Sequence, residues 1–143
     1  PNGATVAYAF RRGKVWSMRI GDSESDLACR PLEVFVSDDS RNFGVVQVVP
    51  RPDRGMDMRV EAMGVVGETF NLISGPSISP TEPLVAYGAE SGGKKYVVLG
   101  TKKMETPDRV GNPVFSPDGR KIGFGARIGD ELWWKVLDVA SIR

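Results

Sequence analysis

The chain has 143 residues, of which 41% are hydrophobic and 26% are charged, a composition typical of one globular domain and not of a disordered segment. Lysine plus arginine (19) nearly balances aspartate plus glutamate (18), and no basic run supplies the patch that nucleic-acid binders use to displace counterions from phosphate. No apolar run approaches the roughly 20 residues of a membrane-spanning helix, so we expect neither a nucleic-acid partner nor a membrane span.

A tight-turn cluster followed by the same short apolar phrase occurs four times along the chain. The clusters are Pro1-Asn2-Gly3, Ser37-Asp38-Asp39-Ser40, Ser79-Pro80-Thr81-Glu82 and Ser116-Pro117-Asp118-Gly119, and the phrases are residues 6–9, 43–46, 85–88 and 122–125. Successive repeats are 37, 42 and 37 residues apart. A period in this range is typical of propellers and solenoids, in which no single unit buries its own apolar faces.

Each repeat is predicted to consist of short strands. In chain order the predicted strands cover residues 6–10, 15–20, 76–79, 84–89, 96–99, 112–116, 122–126 and 132–139, with outer strands around 27–30, 67–72 and 103–106. The second repeat departs most, because its turn lacks proline and glycine and Met56 and Met58 replace an aromatic residue. No segment has helical periodicity over three turns, so the sequence predicts an all-β fold.

Small and aromatic residues recur at fixed places in these strands. Glycine or alanine stands beside a larger residue in the second strand of every repeat (Ala7, Gly44, Ala86, Gly123), which predicts that another backbone packs closely there. The third strands carry Trp16, Tyr96 and Trp133. We interpret Trp133-Trp134 as core or inter-blade packing in preference to a cofactor stack.

The two ends of the chain leave the array open. Residue 1 begins after the expected inner strand of the first repeat, and residue 143 ends where the outer strand of the fourth should start. The chain is then either a stretch of a longer propeller, which we favour, or a four-blade ring whose closing strands are lost or supplied by another chain. We expect the exposed blade edge to pair with another chain or with missing parts of its own chain.

The fourth repeat carries a recognisable motif. Phe115 with residues 116–124, followed by a strand that ends near Asp138, resembles the repeat of TolB-like β-propellers, a family of Ser-Pro-Asp-Gly-type, WD-related repeats. Asp22 supplies the same terminal acid in the first repeat, whereas Gly100 in the third does not. The resemblance implies a propeller of about four four-stranded antiparallel blades, with repeats near residues 1–36, 37–78, 79–115 and 116–143, and a periplasmic or secreted location.

Catalytic motifs were tested against the sequence and rejected. The chain contains no histidine, so it cannot supply a Ser-His-Asp triad, histidine base catalysis or the usual zinc ligands. Residues 89–93 resemble a nucleophile elbow, and residues 88–94 a phosphate loop with Lys95 in place of the required Ser/Thr. We predict an ordinary hairpin there, because a strand and not a helix follows.

Other candidate sites were rejected in the same way. Cys29 is the only cysteine of the sequence, so it cannot form an internal disulfide. We predict that it is a buried residue that fills space in the core. Residues 22–26 and Asp38-Asp39 have no calcium-loop spacing and are interpreted as solvated turns. Residues 11–14 and 102–103 are interpreted as solvated loop charge. The sequence therefore assigns no catalytic, cofactor-binding or metal-binding residue, implies no cofactor, and leaves the binding residues unknown.

Three functional hypotheses remain open. The first is a non-catalytic TolB-like scaffold whose partner is another protein. The second is the substrate-gating propeller of a larger hydrolase, such as a prolyl-oligopeptidase-like peptidase, which would need a separate catalytic domain. The third is a carbohydrate-binding or lyase propeller. We favour the first, because every catalytic motif tested in the sequence fails.

Overall fold

The computed structural model describes residues 5–106 and 110–142. In these ranges every regular element is a β-strand except a single 3₁₀ turn at Val139–Ser141. The strands form four antiparallel sheets, which we call the first to the fourth sheet in chain order. The all-β prediction is therefore confirmed. The first turn cluster, Pro1-Asn2-Gly3, lies outside the described residues.

The chain divides into two compact units, Pro1–Thr69 and Phe70–Arg143. The first unit holds two sheets. The first sheet consists of β1 (Ala7–Arg12), β2 (Val15–Ile20) and β3 (Ser23–Leu27), and the second sheet of β4 (Arg30–Val36), β5 (Phe43–Pro50), β6 (Met56–Ala62) and β7 (Val65–Phe70). Consecutive strands are neighbours within each sheet, as in a simple meander.

The second unit also holds two sheets. The third sheet consists of β8 (Leu72–Ile78), β9 (Val85–Ser91), β10 (Lys94–Leu99) and β11 (Lys102–Thr106), and the fourth of β12 (Val114–Phe115), β13 (Lys121–Ile128) and β14 (Glu131–Asp138). These two sheets share a buried apolar cluster formed by Ala86, Val97, Leu99, Val110, Ile122, Phe124, Ala126 and Val139. Burial of this cluster from water supplies the main driving force for folding of the unit.

One of the three predicted outer strands is wrongly placed. The strand predicted at 103–106 is present as β11, and the one predicted around 67–72 overlaps β7, but residues 27–30 span the end of β3 and the start of β4. The actual outer strand β3 includes the acidic segment that we interpreted as a solvated turn. Cross-strand polar pairs explain the difference: Arg19 contacts Glu24 at 3.1 Å, and the Ser17 hydroxyl donates to Asp26 at 2.9 Å.

The small residues of the second strands accommodate aromatic rings. A Cβ atom at Gly44 would collide with the ring of Phe35, its register partner on β4. At Gly123 a Cβ would lie 2.7 Å from the indole of Trp134. The predicted close approach of another backbone is therefore wrong at these two positions, because a side chain of the same sheet fills the space.

The turn clusters of the second and fourth repeats share one hydrogen-bonded geometry. The Ser116 hydroxyl donates to Asp118 Oδ1 at 2.6 Å, and the Arg120 amide donates to the same oxygen at 3.1 Å. Ser37, Asp39 and Arg41 repeat these contacts at 2.6 and 3.1 Å. An aspartate that bonds the backbone two residues later stabilises such a turn locally. In the third repeat Thr81 replaces the aspartate.

These hydrogen bonds predict an acid-sensitive turn. The Ser116 hydroxyl, followed by the Arg120 amide, lowers the pKa of Asp118 below its ordinary value. Because the folded pKa is depressed, this stabilisation is complete above the unfolded pKa of about 3.9 and is lost as pH falls through the folded value. We expect the urea midpoint of the native chain to fall more steeply below about pH 4 than that of Asp118→Asn. Identical pH profiles would contradict this expectation.

Candidate functional site

One face of the fourth sheet is apolar along its whole width. In the strand register Val114 pairs with Gly123, Gly123 with Val136, and Gly125 with Trp134. Leu132 pairs with Arg127 two residues further along the hairpin. Because antiparallel partners lie on the same side of a sheet and side chains alternate along each strand, all of these residues occupy one face.

The large side chains of this face are exposed to solvent. Val114, Leu132, Trp134 and Val136 are all exposed, and Trp134 retains 65% of its accessible surface. We call these four residues the apolar face. Single exposed apolar residues are common on soluble proteins, but a contiguous group on one sheet is typical of a surface that another molecule covers.

The opposite side of the same sheet is packed along β13. Ile122, Phe124 and Ala126 alternate with the glycines of β13 and belong to the buried cluster shared with the third sheet. The apolar face is therefore carried by strands whose other side is held in a close-packed core. Such a support fixes the orientation of the exposed side chains before any partner binds.

A cleft of about 640 Å³ opens at the hairpin end of the apolar face. Its lining is mostly apolar and consists of Val110, Gly111, Gly125, Ala126, Arg127, Leu132, Trp133 and Trp134. The Arg127 guanidinium donates to Gly129 O at 2.8 Å and contacts Asp130 at 3.3 Å, and the Trp133 indole donates to Glu131 at 3.1 Å. The volume lies within the range of small-molecule and peptide-anchor sites.

The exposure of Trp133 and Trp134 corrects the prediction that both are buried in packing. About half or more of each indole remains accessible to solvent. Trp134 lies on the side of the fourth sheet opposite to the buried cluster, and Trp133 lies on β14, an edge strand of that sheet among the described residues. The alternation of residues along a strand predicts on which side of the sheet each side chain lies. It does not predict whether another sheet covers that side.

The motifs rejected from the sequence lie where an ordinary hairpin places them. Residues 89–93 belong to β9 and to the Gly92-Gly93 turn, and β10 follows directly. Within the described residues no group of three or more Cys, Asp or Glu side chains is arranged to hold a metal ion. Cys29 is half-buried, so the prediction of a buried cysteine is wrong.

The basic pairs are strand residues and not loop charge. Arg11 and Arg12 end β1, where Arg12 contacts Glu24 at 3.1 Å and lies 5.3 Å above the Phe10 ring centroid. Lys103 belongs to β11 and lies 5.6 Å from the Tyr96 ring centroid. These cations therefore contact rings and acids of their own sheets. The prediction of a loop is wrong for Arg11, Arg12 and Lys103, whereas the prediction that the basic residues are exposed to solvent is confirmed.

A buried polar network in the second sheet was missed by the sequence analysis. Gln47 is fully buried, and its Oε1 accepts hydrogen bonds from Arg59 Nε at 3.0 Å and Nη2 at 2.8 Å. Its Nε2 donates to Glu61 Oε2 at 2.8 Å. The feature of the sequence that indicates this network is a single glutamine among the four valines of residues 45–49. Since every polar group of Gln47 has a partner, we interpret the network as structural.

Comparisons with known proteins support the fold. The solved structure of TolB from Acinetobacter baumannii is similar to this chain with a TM-score of 0.52 and 11% identity, over 96% of this chain. The chain spans 39% of the length of that TolB chain. No protein-family model and no curated protein matches the chain. The likeness shows a TolB-like β-propeller fold, and the described residues contain no helix long and apolar enough to cross a membrane.

Proposed function

We propose that this TolB-like chain is a non-catalytic scaffold that binds another protein through the apolar face of its fourth sheet. The observation that carries the proposal is the contiguous exposed group Val114, Leu132, Trp134 and Val136 on a sheet whose other side is packed. Covering these side chains removes apolar surface from water, which is the principal driving force of protein association. A periplasmic or secreted location follows from the resemblance alone and stays a prediction.

The chemistry of the apolar face favours a protein partner over a small polar ligand. Its centre contains no charged side chain, and the charged partners in register, Arg127 and the Lys121–Asp138 pair, lie at its two ends. Interfaces between proteins have this arrangement, with an aromatic or aliphatic centre and a polar rim. Trp134 is the expected hot spot, because tryptophan contributes a large rigid apolar area.

The proposal is tested by affinity capture from an extract of the source organism with three forms of the chain. The forms are the native chain, the Trp134→Ser/Val136→Ser variant, and the Val65→Ser/Val66→Ser control, which removes two equally exposed valines of β7. We expect a protein that the native chain and the control retain and that the first variant loses at least tenfold. The identified protein is then purified, and calorimetry must reproduce the difference.

Two results would contradict the proposal. Capture of the same proteins by all three forms would show that the apolar face is not the binding surface. Binding to a glycan array that Trp133→Ala abolishes, without any protein partner, would instead support the carbohydrate-binding alternative, since both indoles line the cleft. The substrate-gating alternative gains no specific support from the described residues.

A further inference from the structure

The third sheet indicates what kind of surface could cover the apolar face of the fourth sheet. The second and third strands of the third and fourth sheets have the same register at a spacing of 37 residues: Gly88 pairs with Val97 and Ala86 with Leu99, as Gly125 pairs with Trp134 and Gly123 with Val136. Val97 and Leu99 therefore occupy on the third sheet the places that Trp134 and Val136 occupy on the fourth.

The equivalent positions of the two sheets differ in their exposure to solvent. Val97 and Leu99 are 0% and 2% exposed, whereas Val136 is 53% exposed. The third sheet is covered because Ile122, Phe124 and Ala126 of the next sheet pack on it. The face of the third sheet that corresponds to the apolar face is thus covered by three alternate apolar residues of β13, a strand of the next sheet.

The first sheet presents such a row to solvent. Val6, Tyr8 and Phe10 stand in the first repeat where Ile122, Phe124 and Ala126 stand in the fourth. Val6 is 67% exposed and Tyr8 is 43% exposed, while Phe10 is half-buried. The Tyr8 and Phe10 rings lie 5.7 Å apart and form one aromatic ridge. The fourth sheet therefore exposes the apolar face, and the first sheet exposes an apolar row of the kind that covers the third sheet.

We propose that the occupant of the apolar face is a second copy of this chain, which packs the Val6/Tyr8/Phe10 row of its first sheet against Trp134 and Val136. This inference rests on the proposed function and names its partner. The contact is heterologous, because two different surfaces meet, and such contacts close into a ring or continue as a chain of copies.

The size of the face predicts weak association. Strands β13 and β14 have eight residues each and β12 has two, so at about 4.8 Å per strand and about 3.4 Å per residue the face measures about 300 Å². Two such faces bury about 600 Å², which is below the size of stable interfaces and within the range of weak, transient ones. Self-association should therefore depend on concentration across the micromolar to millimolar range.

Sedimentation of the full chain and two single variants tests this inference. We expect the average mass of the native chain in solution to rise above the monomer mass of 15.5 kDa as its concentration increases. Trp134→Ser and Tyr8→Ser should each weaken self-association at least tenfold, because each removes one of the two surfaces. An equimolar mixture should restore a one-to-one dimer, since each variant supplies the surface that the other lacks. Circular dichroism of each variant verifies that it is folded.

The possible failures are distinguishable. A native chain that stays monomeric over the whole range overturns the inference, as does a Tyr8→Ser variant that associates like the native chain, which would indicate a symmetric contact between two apolar faces. The proposed function survives either result if a different protein is still captured through Trp134. Trp134→Lys provides a second, more disruptive variant if serine weakens association too little to measure.

Discussion

Replacing Phe124 by alanine is expected to lower the free energy of unfolding of the second unit by about 3–5 kcal/mol. Phe124 is almost completely buried and lies within the cluster that joins the third and fourth sheets. Its removal eliminates the transfer free energy of the ring and leaves a cavity among side chains held by two sheets. The expected loss is a large part of the stability of a domain of this size.

The measurement is urea denaturation monitored by tryptophan fluorescence in a Trp16→Phe background, so that Trp133 and Trp134 report the second unit. The matched control is Tyr8→Ala, which removes an aromatic ring at the same place of the first repeat and is measured in a Trp133→Phe/Trp134→Phe background, so that Trp16 reports the first unit. Tyr8 is partly exposed, so its loss should cost less than half as much. Equal losses at the two positions would show that the fourth sheet does not depend on the buried cluster.

Replacing Gln47 by methionine is expected to destabilise the chain by about 1–3 kcal/mol. Methionine has a similar volume, so the cavity contribution is small. The cost comes from Arg59 and Glu61, which are half-buried and lose the amide that bonds both of them. Hydrogen bonds to charged groups are stronger than those between neutral groups, so their loss is the dominant effect.

A thermodynamic cycle separates this cause from a packing effect. With Arg59→Met and Glu61→Met already present, Gln47→Met should cost little, because no charged group is then left without its partner. Chemical denaturation of the four combinations supplies the coupling free energy. A Gln47→Met cost that is the same in both backgrounds would mean that the network contributes no coupling and that packing alone decides the effect.

Local patterns in the sequence were sufficient to predict most of the strands. Turn clusters such as Ser116-Pro117-Asp118-Gly119 carry their own hydrogen-bonding partners, so their geometry depends on few distant residues. Alternation along β13 likewise predicts which residues share a face. The outer strand β3 was misplaced because its acidic side chains favour a turn in isolation, whereas cross-strand contacts such as that of Arg19 with Glu24 favour the extended form.

The repeat spacing, the lack of histidine chemistry and the alternation that divides β13 into two faces can all be derived from the amino-acid sequence alone. Which of those two faces is covered depends on the packing of the sheets. Phe124 and Trp134 are both aromatic strand residues, yet one lies in the core and the other in solvent. Local propensity is the same for both, because burial depends on whether another sheet packs against that side, and neighbouring residues along the chain do not encode this.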